Sequence, residues 1–196
     1  MKKYELTTEA KVWLGRTLHR IRALVSFGDV EAGELGGWIE KEENLEQSGD
    51  AWVYGDARVY GDARVSGDAR VYGEALVYGD ARVSGDARVY GDAWVSGDAW
   101  VSGDARVYGD ADVNKDTHYL VIGAIGSRDD FTTFFRTKNK QIFVCCGCFE
   151  GDINKFVEAV KETHGGTKHE KAYMLAVELA KAQIEDVESE GDYRHD

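Results

Sequence analysis

The sequence lacks the features of a membrane-spanning or exported protein. It contains no run of eighteen apolar residues, and its first five residues, MKKYE, have no apolar core of the kind found in signal peptides. These absences predict a soluble, cytoplasmic protein that does not engage a membrane.

Cysteine is scarce, and basic segments are missing. The three cysteines all lie between Cys145 and Cys148, so they cannot build the even disulfide framework of a small secreted domain. The formal net charge is −12, and no segment forms a basic tail. This balance argues against binding of duplex DNA or RNA across a broad face, but a few local arginines could still hold a small anionic ligand.

What the sequence does contain is a short repeat. Eleven six-residue units run from Gly49 to Val113, each close to Gly-Asp-Ala-x-Val-Tyr/Ser, with alanine third and valine fifth in every unit. Two apolar residues separated by one outward residue follow the alternation of a β-strand, so alanine and valine are predicted to point inward. The Gly-Asp pair is predicted to form the corner, because glycine tolerates a positive φ and aspartate can accept hydrogen bonds from nearby amides.

The residue after each valine indicates how many strands make one turn. Read at every third unit, it gives a tyrosine row and a serine row: Tyr54, Tyr72, Tyr90 and Tyr108, and Ser66, Ser84 and Ser102. This superperiod of eighteen residues predicts a triangular solenoid whose three parallel sheets surround a core of alanine and valine. Because burying a valine contributes about 1.5–3 kcal/mol, core formation alone accounts for the repeat.

The repeat resembles the hexapeptide repeat of left-handed parallel β-helix proteins, in which an aliphatic residue is followed four positions later by a small one, as in Val53 and Ala57. The stretch from Phe27–Val30 through Gly36–Ile39 into Gly49–Val53 is similar to the YdcK-like branch and to phage and prophage proteins of this kind. The resemblance implies a left-handed helix, whereas the general preference for right-handed crossovers would predict the other hand. It also implies trimers that associate through flat faces.

The predicted fold class is mainly β, with four segments along the chain. Residues 1–48 are predicted to form a β-hairpin cap, with strands at Lys11–Leu14 and Thr17–Val25 joined by Gly15-Arg16. Residues 49–113 are predicted to form the three-sided left-handed parallel β-helix, residues 114–187 a small C-terminal α/β domain, and residues 188–196 an acidic tail.

The C-terminal domain is predicted to be a three-stranded sheet covered by two helices. The strands are expected at His118–Ile125, Phe131–Thr137 and Gln141–Cys146. The helices are expected to begin after the N-caps Asp152 and Thr167, the second with a capping box.

Aromatic and arginine side chains at the outward positions predict that at least one solenoid face is the seam of a homotrimer, since these residue types are enriched at interface cores. The candidate interface residues are Trp52, Tyr54, Tyr72, Tyr90, Trp94 and Trp100. Cross-strand packing of the tyrosines is the simpler interpretation of the tyrosine row.

Two places in the C-terminal domain are candidates for chemistry. The loop Gly126–Asp130 and the threonines that follow it could hold a phosphate or carboxylate, and the candidate ligand-binding residues are Ser127, Arg128, Thr132 and Thr133. Cys145, Cys146 and Cys148, with His164 and His169, are soft metal-ligand types, but adjacent strand cysteines point to opposite faces and no second Cys-x-x-Cys is present. We therefore predict no metal site, and buried thiols instead.

Within the resembled family, the best-known members are acyltransferases and γ-type carbonic anhydrases, whose activities depend on histidines. Before His118 the chain has only His19, and no insertion interrupts the repeat. The aspartate at every corner except that of Glu74 is interpreted as a corner cap, because the glycine-rich nonapeptide of calcium-binding β-rolls is missing. We expect no catalytic residues and no cofactor.

The predicted function is that of a non-enzymatic, phage-type binding protein: a trimeric β-helix scaffold that engages a host protein or a small anionic or nucleotide ligand. The phage resemblance suggests a cytoplasmic inhibitor of bacterial antiphage defence, such as an anti-CRISPR or a nucleotide sponge. Two alternatives stay open. One is an acyl-CoA-dependent acyltransferase of the hexapeptide family, which could borrow His118 from an adjacent chain, and the other is a purely structural assembly protein.

Overall fold

A computed structural model describes residues 2–187, and the predicted acidic tail lies outside the described residues. The chain divides into two compact units. The first extends to Asp110 and includes Asn114–Asp116, and the second comprises Ala111–Val113 and the chain from Thr117 onward. The segments predicted as cap and solenoid therefore fall together in the first unit, apart from the last three residues of the repeat.

The cap is a β-hairpin followed by a third strand. Strands β1 (Tyr4–Trp13) and β2 (Arg16–Ala23) are antiparallel, and β3 (Leu35–Ile39) pairs antiparallel with β2 and parallel with the solenoid. The turn is Leu14-Gly15, with φ of 48° and 77°, one residue earlier than predicted. Two successive positive φ angles match the twist of a two-residue hairpin, and the leucine in the first of these positions obscured the signal.

Short strands of two or three residues form the solenoid repeat. They are β4 (Trp52–Val53), β5 (Arg58–Val59), β6 (Arg64–Val65), β7 (Arg70–Val71), β8 (Leu76–Val77), β9 (Arg82–Val83), β10 (Arg88–Tyr90), β11 (Trp94–Val95), β12 (Trp100–Val101), β13 (Arg106–Tyr108) and β14 (Asp112–Val113). The first thirteen strands of the chain belong to the first unit, and β14 belongs to the second.

Every third strand stacks on its predecessor, as the superperiod predicts. The first face is the sheet β4-β7-β10-β13, the second face contains β5-β8-β11, and the third face is β6-β9-β12. Parallel partners are eighteen residues apart, as in Val53 and Val71 or Val83 and Val101. The β-solenoid has three sides and about four turns, which confirms the predicted architecture.

The inner columns form the core of the solenoid. Every repeat alanine is fully buried, and no repeat valine exposes more than 1% of its surface. Each repeat glycine has a positive φ, and at Gly73, with φ of 74°, a Cβ atom would lie 2.9 Å from the amide nitrogen of Gly91 in the next coil. Glycine at this corner is therefore required both by the backbone conformation and by the close approach of neighbouring coils.

The second unit contains an antiparallel sheet and two helices. The sheet order is β15 (Tyr119–Ile125), β16 (Asp130–Arg136), β17 (Ile142–Cys146) and β18 (Phe149–Asp152). Helix α1 spans Ile153–His164 and α2 spans Lys168–Gln183, with short 3-10 turns at Glu42–Asn44 and Asp116–His118 elsewhere in the chain. Strand β18 was not predicted, because its four residues include a glycine and run directly into α1.

Both predicted helix N-caps are confirmed. A side-chain oxygen of Asp152 accepts hydrogen bonds from the amides of Asn154 and Lys155 at 3.1 and 2.9 Å. Thr167 Oγ1 accepts from the Glu170 amide at 3.4 Å. Apolar side chains from the helices cover one face of the sheet, and along residues 2–187 no helix is both long and apolar enough to cross a bilayer.

Candidate functional site

The tyrosine row of the first face is packed within the chain. Tyr72 and Tyr90 stack with ring centroids 5.0 Å apart, and Tyr90 stacks on Tyr108 at 5.2 Å. Tyr54 contacts Tyr72 edge-on and donates its hydroxyl to Asp29 at 2.9 Å, and burial together with this carboxylate raises the pKa of Tyr54. The row therefore has the cross-strand packing that the simpler interpretation predicted.

The prediction of Trp52 as an interface residue is wrong. Its side chain is fully buried, with ring centroids of Tyr4 and Phe27 at 6.1 and 5.3 Å. Trp52 occupies an outward position of the first coil, but the cap residues cover it, so it cannot contact another chain.

The remaining interface candidates are distributed over three faces. The tyrosines lie on the first face, Trp94 is 39% exposed on the second, and Trp100 is 51% exposed on the third. A single flat seam could not include all of them. The homotrimer itself stays a prediction.

A cavity of about 210 Å³ lies within the second unit and brings together the ends of several elements. The loop between β15 and β16 contributes Ser127, Arg128 and Asp130, and the β17–β18 turn contributes the residues from Cys146 to Phe149. The helices add further side chains to the lining: Phe156, Ala159, Val160, Thr163, His164 and Tyr173.

Arg128 supplies the positive charge at this cavity. Its side chain is exposed, and along residues 2–187 its guanidinium makes neither a hydrogen bond nor an ion pair. A Cβ atom on Gly147 would lie 3.5 Å from Arg128 Nη1, so the guanidinium rests against the backbone of the β17–β18 turn. An exposed arginine at this position can form charge-assisted hydrogen bonds with an anion.

A chain of three polar side chains lies beside the cavity. The Thr132 hydroxyl donates to Cys146 Sγ at 3.1 Å, and the Cys146 thiol donates to the Tyr173 hydroxyl oxygen at 3.7 Å. Burial, followed by the contact with Cys146, raises the pKa of Tyr173. The phenol is therefore neutral at physiological pH, and it does not donate its own proton to either of the other two side chains in this series.

The close approach of Tyr173 depends on Gly126. A Cβ atom at this position would come within 1.8 Å of the Tyr173 hydroxyl oxygen, and φ of Gly126 is 81°. A side chain here would push the Tyr173 ring out of its place in the cavity wall.

Two of the four predicted ligand-binding residues do not face the cavity. Thr132 and Thr133 lie inside β16 with at most 1% of their surface exposed, and neither lines the cavity. Both threonines lay within the predicted strand Phe131–Thr137 as well, and the structure shows that neighbouring elements cover both of them. Ser127 and Arg128 do line the cavity.

The other lining residues were missed because they come from distant parts of the chain. Tyr173 and Phe156 also belong to the apolar core between the sheet and the helices, so neither has a local sequence signature of a ligand site. The signal that could have found them is the pair of glycines, Gly126 and Gly147, at two turns that precede the helices.

The three cysteines differ in their exposure. Cys145 is buried, Cys146 is half-buried and Cys148 is exposed. In the described part of the chain, no three or more His, Cys, Asp or Glu side chains are grouped so that they could hold a metal ion.

His118 is placed differently from what an acyltransferase would require. Its side chain is fully buried, and its Nε2 lies 3.2 Å from a carboxylate oxygen of Asp186. The expectation that His118 could serve a neighbouring chain as a base is therefore wrong, because the ring is not accessible.

Comparison with known proteins shows which repeat family the solenoid segment resembles. The YdcK beta-solenoid repeat model matches residues 51–67, 57–73, 63–79, 69–85, 81–97 and 87–103. A protein of Escherichia coli (strain K12) named "Uncharacterized acetyltransferase YdcK" is 37% identical over 62 residues, which cover 28% of this chain and 19% of that protein. The chain carries YdcK-like β-solenoid repeats, as the hexapeptide pattern predicted, and the similarity is confined to a small part of the relative.

Proposed function

We propose that this protein is a non-enzymatic binding protein, in which the solenoid is the scaffold and the cavity of the second unit holds a small anionic ligand. The observation that carries this proposal is the guanidinium of Arg128, which has no hydrogen bond or ion pair to residues 2–187 and lies beside an aromatic cavity wall. Ligand sites typically combine apolar walls with a few convergent polar groups.

Five of the lining residues have a role toward such a ligand. Arg128 would pair with a phosphate or carboxylate, and Ser127 and the neutral Tyr173 hydroxyl would donate further hydrogen bonds. The rings of Phe149 and Phe156, with centroids 5.2 Å apart, would pack against the apolar part of the ligand. At about 210 Å³ the cavity is below the usual size for drug-like ligands, so we expect an anion on a compact, partly apolar body.

The proposal is tested by calorimetric titration with phenyl phosphate and benzoate. We expect saturable binding that weakens at least about tenfold in Arg128→Gln, since a charge-assisted hydrogen bond contributes about 1.5–3 kcal/mol. Lys181→Gln is the matched control, because it removes one positive charge from the same unit at an exposed position outside the cavity lining. Equal affinities in wild type and Arg128→Gln, or no binding at all, would contradict the proposal.

The wider role is proposed from the resemblance stated above. A homotrimer that engages a host protein and inhibits antiphage defence is consistent with a scaffold that exposes Trp94 and Trp100. Native mass spectrometry of the protein isolated from a bacterial lysate would report both its assembly and its partners. A bare monomer would contradict the trimer.

The acyltransferase alternative has one observation in its favour, which is the printed name of the YdcK relative. The solenoid segment, residues 49–113, contains no histidine, and His118 is buried. Titration with acetyl-coenzyme A tests this alternative, and binding accompanied by transfer to an amine acceptor would favour it over the binding protein.

A further inference from the structure

The third face of the solenoid carries a second concave surface, entirely within the first unit. Here a groove of about 620 Å³ runs from the segment Glu42–Gln47 to Trp100, across Arg64 and Arg82. This volume falls in the range of small-molecule sites. Along the groove lie three inter-strand spacings, which amount to about 14 Å.

A column of two arginines forms the floor of the groove. Arg64 and Arg82 are direct partners in the parallel register of β6 and β9, and both are exposed. Like charges in this position repel each other, and neither guanidinium forms a hydrogen bond or ion pair with any residue from 2 to 187. On the first face, by contrast, Arg70 pairs with Asp29 at 3.3 Å. Among residues 2–187, the arginines of the third face therefore have no directly hydrogen-bonded or ion-paired partner, and Asp62, which pairs with Lys41, acts on Arg64 only through space.

Trp100 continues the same column on β12, directly beside Arg82. Its indole nitrogen donates to Ser84 Oγ at 2.9 Å, which orients the ring over the serine row. Half of its surface is still exposed. The indole is thus oriented through its nitrogen while half of the side chain is exposed, and an exposed, oriented ring is what stacking on a nucleobase requires.

Glutamates close the other end of the groove, and two of them are already engaged. Glu42 pairs with Lys2 at 2.6 Å, and the carboxylate of Glu46 accepts from the Ser48 hydroxyl at 2.7 Å and the Gly67 amide at 3.1 Å. These bonds lower the pKa of Glu46, which keeps it ionised at the end of the serine row. A ligand's hydroxyl or amino donors would be accepted at this end, and its anionic group would be directed to the arginines.

From this arrangement we infer that the third-face groove binds a nucleoside monophosphate, whose base stacks on Trp100 while Arg64 and Arg82 hold the phosphate. Two adjacent guanidinium groups match a doubly charged phosphate, because their planar donors bind its oxygens bidentately. The inference goes beyond the function proposed above, since it concerns a different unit and different residues.

The test is a calorimetric titration of the whole protein with AMP, adenosine and inorganic phosphate. AMP is expected to bind at least about tenfold more tightly than adenosine or inorganic phosphate, because only AMP contacts both the Trp100 indole and the two arginines. Arg82→Gln should weaken AMP binding about tenfold. Trp100→Ala should remove most of the advantage of AMP over inorganic phosphate.

Matched controls come from the other faces. Arg88→Gln changes an exposed arginine at the same repeat position on the first face, and Trp94→Ala removes an exposed tryptophan on the second. Both should leave AMP binding unchanged. Thermal melting followed by circular dichroism checks that each variant is folded, and all four substitutions lie at exposed positions.

Several results would overturn the inference. The first is an absence of AMP binding at millimolar concentration. The second is an AMP affinity in Arg82→Gln and Trp100→Ala that equals the affinity of the wild type. The third is binding of an acidic sugar such as glucuronate that is as tight as the binding of AMP. If AMP binding were lost in Arg128→Gln and kept in Arg82→Gln, the nucleotide would occupy the cavity of the second unit. That outcome would refute the groove and uphold the proposed function.

Discussion

The corner glycines allow the stacking of solenoid coils to be measured with a matched pair of substitutions. Gly73 and Gly55 both have positive φ, at 74° and 58°. A Cβ atom at Gly73 would lie 2.9 Å from the Gly91 amide nitrogen, whereas at Gly55 it would meet no atom within 4 Å. Alanine at either site incurs the cost of the left-handed conformation, but only Gly73→Ala also pushes a neighbouring coil away.

The magnitudes follow from these two terms. The left-handed conformation costs alanine about 1–2 kcal/mol, offset by about 0.4–1 kcal/mol from the reduced entropy of the unfolded chain. Gly55→Ala should therefore lower the free energy of unfolding by roughly 1 kcal/mol or less. Gly73→Ala should lower it by a further 1–3 kcal/mol or so, as overpacking against backbone does.

Urea unfolding followed by tryptophan fluorescence is the appropriate assay. All five tryptophans belong to the first unit, so the signal reports on the solenoid and its cap without a contribution from the second unit. Equal losses of stability in the two variants would refute the argument that close coil stacking requires glycine at this corner.

Two further predictions concern the cap and the second unit. Lys3 is 4% exposed and its ammonium donates to the Ala51 carbonyl at 2.9 Å, and burial lowers the pKa of Lys3 from 10.5 to about 8. A folded-state pKa below the unfolded value means that the cost of burying the charge is present below pH 8 and is relieved as the pH rises to about 10.5. In urea titrations, the free energy of unfolding of the wild type relative to Lys3→Met should thus increase by up to about 3 kcal/mol across this window. If this difference did not change with pH, the lowered pKa of Lys3 would be contradicted. Asp152→Ala should lower the stability of the second unit by about 1 kcal/mol, because α1 loses its N-cap. Circular dichroism at 222 nm measures this loss. Glu158→Ala, at an exposed position in the same helix, is the control. An Asp152→Ala variant as stable as the control would show that the cap contributes nothing.

The solenoid could be predicted in detail because its information is local and repeated. The Ala and Val columns, the positive φ at the glycines and the eighteen-residue register all follow from the six-residue unit. A wrong interpretation of one unit is corrected by comparison with the next unit, which has the same pattern. The hairpin turn at Leu14-Gly15 occurs once, so nothing along the chain corrected its one-residue misplacement.

The candidate site could be predicted only in part. Ser127 and Arg128 were found because a loop with a hydroxyl and a guanidinium has a local signature, and they do line the cavity. Thr132 and Thr133 follow them in the sequence but are buried within strand β16, because neighbouring elements cover both faces of the sheet at these positions.

The sequence by itself determined the period of the solenoid, its inward and outward columns and the two helix caps, since all of these depend on residues a few positions apart. Only the tertiary structure decided which outward residues are accessible. Trp52 and Trp100 occupy equivalent repeat positions, yet the cap buries the first while the second stays half-exposed. The tertiary structure also decided that Tyr173 lines the cavity, because residues far apart in the chain meet there. Such contacts depend on packing between elements, which a six-residue pattern does not encode.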